Sequence, residues 1–298
     1  MKYFGFEFDK VIVIESLPEH EKQIRDGQLL SSGEYYTKIF FPYCNKLRDE
    51  PFSFELAHVN SKHELLHKLD LICEKIKLDD EYPLIYFEIH GTENKDGLTI
   101  CNGDFVDWRT LLDKLTNINI LTANNLFVIF ATCSGAFNLQ YIMPRETVFP
   151  YYAALAPDNP EYPVFLEQRY SLFYLDLMIG GDVENAIRQT ITENGYARII
   201  LSTCEFYLYQ AFQQEIAKVK DDNRVEGLIQ ILNRKPGNCL SNEVLRKLVK
   251  DKLFDPMMGE RILLKMKEKL LMANDPKNLG RFQFSAMDLM DLYAKQTF

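Results

Sequence analysis

Two apolar segments of the sequence contain residues that can take part in nucleophilic catalysis. The segment LIYFEIHG ends in His90 and Gly91, and LFVIFATCSG contains Cys133, which lies 43 positions after His90. A cysteine attacks a carbonyl carbon as its thiolate, which an adjacent imidazolium stabilises, and the histidine can then protonate a leaving amine. The pair therefore indicates peptide-bond hydrolysis by His90 and Cys133, with the backbone N–H groups of Gly91 and Cys133 as oxyanion donors.

A second motif suggests a different way to cleave a peptide bond. SKHELLHKLD contains His63, Glu64 and His67 at the spacing with which many zinc peptidases hold their metal. Such a site also needs a third protein ligand, and the expected positions offer neither a third histidine nor a glutamate on a following helix. Ser61 and Glu64 instead fit a capping box, which gives Glu64 a structural task. We therefore expect no metal and no organic cofactor, with a zinc peptidase as the weaker alternative.

The chain around these residues alternates between strand and helix patterns. Apolar runs predict buried strands at 10–17, 52–59, 82–91, 126–135 and 148–157. Apolar residues three and four apart predict an amphipathic helix from Ser61, and another helix is expected to open at Asp104. This alternation predicts a mostly parallel sheet covered by helices on both sides, which is a three-layer α/β/α fold. Functional groups collect at the carboxyl ends of parallel strands, where His90 and Cys133 both lie.

The C-terminal part of the chain has a different character. Beyond about Leu175 the patterns are mostly helical, and the stretch RKPGNCL interrupts them. We predict a first domain at 1–220 and a helical C-terminal extension at 221–298. The segment LLKMKEKLL predicts an amphipathic helix whose charged face is solvated or serves for docking.

The composition disfavours several classes of function. The chain has 298 residues, 47% of them hydrophobic, and a formal net charge of -9, which gives no general attraction for nucleic acid or anionic lipid. The start MKYFGFEFDK lacks a secretory h-region, and no run approaches the roughly 20 apolar residues that span a bilayer. The cysteines are scattered without a CxxC pair, which argues against a disulfide framework. We expect a cytoplasmic protein with neither nucleic acid nor membrane as a partner.

The segments that carry His90 and Cys133 resemble those of the caspase-like (clan CD) cysteine peptidases, and look most similar to CHAT-type and caspase domains. In that group the two strands are adjacent in a parallel sheet, and the two side chains meet across its carboxyl edge. The resemblance continues through VFPYYAALAPDNPEYPVFLEQRYSLFYLDLMIGGDVENAIRQ and covers roughly Lys10 to Tyr209. It implies a thiol protease that acts on protein or peptide substrates in regulated proteolysis. Activation by processing, or by a protein partner bound through the helical C-terminal region, is a further expectation.

The resemblance leaves substrate preference open. Many relatives carry a polar or acidic residue two positions before the cysteine, and here that position is Ala131. Asp158 and Glu161, after the fifth strand, could line a pocket for Lys or Arg, or could simply belong to a turn. The alternative from another class is a catalytically inactive caspase-like scaffold, in which Cys133 is a buried thiol, His90 is a core histidine and the helical tail recruits a partner.

Overall fold

A computed structural model of the chain describes residues 6–49, 51–142, 147–180, 183–192, 197–220, 222–234, 240–253 and 256–294. The strands are β1 Lys10–Ser16, β2 Gln23–Arg25, β3 Gln28–Leu30, β4 Ser53–His58, β5 Pro83–Gly91, β6 Gly97–Thr99, β7 Phe105–Asp107, β8 Phe127–Phe130, β9 Ala153–Pro157 and β10 Ile199–Thr203. The helices are α1 Ser32–Tyr35, α2 Phe41–Lys46, α3 Lys62–Asp79, α4 Trp108–Leu121, α5 Pro163–Leu175, α6 Val183–Thr192, α7 Cys204–Lys220, α8 Asp222–Asn233, α9 Asn242–Leu253, α10 Pro256–Leu270 and α11 Ala286–Ala294.

The central sheet runs in the order β10-β9-β8-β5-β1-β4. Its strands pair in parallel except for β10, which is antiparallel to β9. The short strands β6 and β7 extend antiparallel from the end of β5, and β2 and β3 form a separate hairpin. The prediction of an α/β chain with a mostly parallel central sheet is therefore confirmed.

Helices contact both faces of this sheet. On one face, the ring of Tyr86 in β5 lies 5.8 Å from that of Tyr170 in α5. Its neighbour Phe87 points to the other face, because side chains alternate along a strand, and stacks at 5.4 Å on Phe130 of β8. The ring of Trp108 in α4 packs against Phe130 at 5.8 Å. The arrangement is compatible with three layers, with the aromatic core on either side of β5 and β8.

The helix expected to open at Asp104 begins later than predicted. Asp104 instead closes a turn, in which its carbonyl accepts a hydrogen bond from Ile100 and Gly103 takes a φ of +90°. The chain then forms the strand β7. The helix α4 starts only after Asp107, whose carboxylate accepts the Thr110 N–H at 2.9 Å. Asp107, and not Asp104, is thus the N-cap of α4, since its backbone is extended and its side chain accepts an N–H of the first helical turn that has no partner within the helix.

The chain divides into two compact units, Met1–Cys204 and Glu205–Phe298. Within the second unit, α8 and α9 bury a cluster of Val225, Ile229, Leu245 and Val249. The predicted domain boundary at residue 220 lies at the opposite end of α7 from this division. Among the residues that the structure describes, no helix is long and apolar enough to cross a membrane.

Candidate active site

Neighbouring parallel strands bring His90 and Cys133 to the same edge of the sheet. The β5–β8 register places Phe87 opposite Phe130, and a hydrogen bond of 2.9 Å from the Ala131 N–H to the Phe87 carbonyl continues it. The strand β8 ends at Phe130, earlier than the expected 135, so Cys133 lies in the three residues that follow the strand. The adjacency of the two strands and their parallel direction agree with the sequence-based expectation.

Backbone contact at Gly91 joins the two strand ends directly. A methyl group on Gly91 would overlap the carbonyl oxygen of Cys133 and would lie 3.3 Å from Cγ2 of Thr132. Gly91 also pairs with Leu98 of β6. The structure thus gives a packing reason for glycine at this position, because any side chain would separate His90 from Cys133. Its predicted role as an oxyanion donor stays a prediction.

The imidazole of His90 is held by a carboxylate. Nε2 of His90 lies 2.8 Å from Oε1 of Glu21, and the two side chains are 41% and 29% exposed. Glu21 ends the short 3₁₀ helix that follows β1, where its own N–H bonds the Pro18 carbonyl at 3.0 Å. Glu21 was not among the predicted site residues, because it lies in a different segment of the chain from His90 and no local sequence pattern marks it.

A sharp backbone turn follows Cys133. Ser134 takes the left-handed conformation, with φ 56° and ψ 26°, and the Gly135 N–H bonds the Thr132 carbonyl at 2.9 Å. The Cys133 thiol is partly exposed and lies 3.8 Å from the Glu161 carbonyl oxygen. Within the described chain, the Cys133 N–H makes no hydrogen bond, and no hydrogen bond joins the thiol to the His90 ring.

The three residues predicted to shape a substrate pocket lie near the site but are engaged by the fold. Ala131 is buried at the end of β8. The Asp158 carboxylate accepts hydrogen bonds at 2.9 Å from both the backbone N–H and Nε of Arg198. Glu161 is also buried, and its two oxygens each accept a backbone N–H at 3.0 Å, from Tyr162 and Ala197. These contacts favour a structural role for both carboxylates, and their role in a pocket stays a prediction.

Two further carboxyl groups are buried beside the site at the ends of β1 and β5. Glu15 and Glu88 are register partners. Glu15 accepts the Gly33 N–H at 2.8 Å and the Ser31 hydroxyl at 2.7 Å, so it ties the start of α1 to the sheet. The pKa of Glu88 is raised to about 8, chiefly by burial and also by the nearby charge of Glu15. Glu88 lies two positions before His90, so strand alternation in the sequence already places both on one face.

The histidines of the HELLH motif lie elsewhere, in the first turns of α3. The Ser61 hydroxyl caps this helix by accepting the Glu64 N–H at 3.1 Å, and the Glu64 carboxylate accepts the Asn60 N–H at 2.8 Å. The Ser61 half of the predicted capping box is therefore present, whereas the Glu64 carboxylate works at the helix start by accepting the N–H of Asn60 instead of that of Ser61. His63 and His67 are exposed, with ring centroids 6.1 Å apart. The described residues contain no group of three or more metal-ligating side chains that could hold an ion.

Comparison with known proteins does not name a family for this chain. No protein-family model matches it, and no curated protein is significantly similar to it in sequence. The functional assignment therefore depends on the residues of the site and on the elements that position them.

Proposed function

We propose that this protein is a cysteine endopeptidase of the caspase-like type, with Cys133 as nucleophile and His90 as general acid and base. The observation that carries the proposal is the placement of His90 and Cys133 at the carboxyl ends of adjacent parallel strands, with Gly91 in contact with the Cys133 backbone. Active sites of α/β sheets form at this edge. Both side chains are accessible, as a reaction with an extended peptide requires.

The residues at the site can perform both halves of the reaction. The Cys133 sulfur attacks the substrate carbonyl carbon, and the unbonded N–H of Cys133 is available to the oxyanion that forms. The carbon–nitrogen bond then breaks as His90 gives its proton to the leaving amine, which leaves a thioester on the sulfur. Water, deprotonated by His90, hydrolyses that thioester, and the proton returns to the thiolate with release of the carboxylic acid.

Glu21 is a positioning residue in this proposal. Its carboxylate accepts from Nε2 of His90 and so leaves Nδ1, the nitrogen closer to the backbone, for proton exchange. A carboxylate on one nitrogen also stabilises the imidazolium that exists before the amine leaves. The pairing thus fixes both the orientation and the tautomer of the ring.

One observation favours the second candidate, an inactive scaffold of the same fold. Across the residues described, His90 bonds Glu21 and not the Cys133 thiol. A histidine held away from the cysteine would leave the thiol without its base. We rank this candidate second, because catalytic hydrogen bonds are often long before substrate binds.

The test is cleavage of a diverse peptide mixture by wild type, Cys133→Ala and His90→Gln, with a metal chelator present and cut sites read by mass spectrometry. We expect wild type to cleave peptides and the Cys133→Ala and His90→Gln variants to cleave none. Cys101→Ala is the matched control, because Cys101 is another partly exposed thiol, and it should cleave like wild type. Equal cleavage by wild type and Cys133→Ala would remove Cys133 from the mechanism, and no cleavage by wild type would favour the scaffold.

A further inference from the structure

Acidic side chains after β9 are poorly suited to attract a basic substrate residue. Asp158 bonds Arg198, and Glu161 is only 6% exposed and accepts two backbone N–H groups. A basic side chain that bound either carboxylate would have to displace those hydrogen bonds. Asp158 and Glu161 therefore give no support for a preference for Lys or Arg.

Aromatic side chains follow immediately in the chain. The carbonyl oxygen that lies 3.8 Å from the Cys133 thiol belongs to Glu161, so the backbone nitrogen of the next residue, Tyr162, is two bonds from that oxygen. Tyr162 is 63% exposed and Phe165 is 40% exposed, with their rings edge to face at 6.1 Å. This pair presents an apolar surface at the start of α5, in the residues that follow the Glu161 carbonyl.

A second exposed apolar pair lies on the segment that holds His90. The hairpin β2–β3 begins two residues after Glu21, and it places Ile24 directly opposite Leu29. These two side chains are 80% and 64% exposed. Arg25, between them and the turn, bonds Glu167 of α5 at 2.8 Å, so the hairpin is fastened to the helix whose start carries the aromatic pair.

We propose that the substrate places an apolar side chain, within two residues of the scissile bond, against these exposed side chains; the inference rests on the proposed peptidase function. Exposed apolar groups that cluster near a reactive site mark a binding surface. The occupant is the substrate chain, because the two pairs lie on the segments that position the two reacting side chains: Ile24 and Leu29 follow Glu21, and Tyr162 and Phe165 follow Glu161.

The experiment compares wild type with Tyr162→Ser and Ile24→Ser on the same peptide mixture, followed by kcat/KM on single peptides chosen from the cut sites. We expect wild-type cut sites to be enriched in Leu, Ile, Val, Met or Phe at one fixed position. At least one variant should lower kcat/KM for such peptides about 10-fold or more, since an apolar contact of this size discriminates by that amount. Leu78→Ser is the matched control: Leu78 is 82% exposed on α3, and its loss should change nothing.

The outcomes test the apolar substrate preference separately from the peptidase activity. Cleavage without apolar enrichment, or with unchanged kcat/KM in both variants, overturns this inference and leaves the peptidase standing. Failure of wild type to cleave any peptide overturns both. A change of oligomeric state in the variants with unchanged kcat/KM, measured by light scattering, would assign the surface to a second copy of the chain and overturn the inference as well.

Discussion

Glu21 carries the most informative single contact at the site, because among the described residues its carboxylate pairs with His90 and with no other side chain. Glu21→Gln keeps the size of the side chain and removes the charge that stabilises the imidazolium. We expect kcat/KM to fall about 100-fold, with the fold intact, because small misplacements of a catalytic group cost about that much. The measurement is steady-state cleavage of a single peptide together with the thermal midpoint.

The control for this substitution lies two residues away. Glu19→Gln changes a side chain that is 86% exposed and pairs with Lys22 rather than with His90, so it should leave kcat/KM unchanged. An equal loss in both variants would mean that charge near the site, and not the contact with His90, governs the rate.

The raised pKa of Glu88 predicts that the stability of the protein depends on pH. Its pKa is raised from 4.5 to about 8 in the native protein, chiefly by burial. Between these values the native carboxyl holds a proton that the unfolded chain has lost, so the free energy of unfolding falls as pH rises through this window. Glu88→Gln keeps a neutral hydrogen-bonding side chain and should remove that slope. Urea unfolding of both proteins at several pH values measures it.

Glu34 is a second buried carboxylate, and its pKa is shifted in the opposite direction from that of Glu88. Burial acts to raise its pKa, but hydrogen bonds from Lys38, Ser31 and Lys22 outweigh burial and lower the pKa from 4.5 to about 2. Its contribution is therefore present above pH 4.5 and is lost as pH falls towards 2. Glu34→Gln should flatten the pH dependence below 4.5 and leave the Glu88 slope between pH 4.5 and about 8 unchanged. A slope in that upper window that survives Glu88→Gln would assign it to another group.

At the scale of elements, the contact between the ends of β5 and β8 depends on Gly91. Gly91→Ala places a methyl group on the Cys133 carbonyl oxygen, which is backbone and cannot swing away. We expect a loss of about 1–3 kcal/mol in the free energy of unfolding, as for other overpacked sites, and loss of cleavage. Gly227→Ala in α8 meets nothing within 4 Å and should stabilise its helix slightly. Unchanged stability in Gly91→Ala would mean that the strand ends lie further apart.

The elements that the sequence predicted well are those with long, unbroken hydrophobic patterns. The strands β1, β4 and β5 and the helix α3 lie close to their expected bounds, because long hydrophobic runs and helical periodicity are clear signals. The expectation that the strand at 52–59 is buried is wrong, since β4 is an edge strand and its residues are half-buried or exposed. The hairpin β2–β3 was missed because each strand has three residues, too few for a pattern, although Asp26 and Gly27 supply its left-handed turn. Glu21 was missed with it, because a contact between distant segments leaves no local pattern.

At the scale of the whole molecule, the described site lies within the first compact unit, Met1–Cys204. The second unit contributes a helical cluster around α8 and α9, whose outer side exposes Val244 and Leu248 at 44% and 47%. That an activating partner binds through this C-terminal part stays a prediction. It would lose its support if the purified chain cleaved peptides at full rate without any addition or processing.

The measurement that tests the central claim most directly is the alkylation rate of each cysteine by iodoacetamide, resolved by mass spectrometry from about pH 5 to about pH 9. Cys101, also partly exposed, serves as the internal reference. We expect Cys133 to react about 10-fold or more faster than Cys101 near neutral pH, because in the proposed pair His90 stabilises the thiolate, and we expect His90→Gln to remove the difference. Equal rates for the two thiols in wild type, unchanged in His90→Gln, would contradict a catalytic pair.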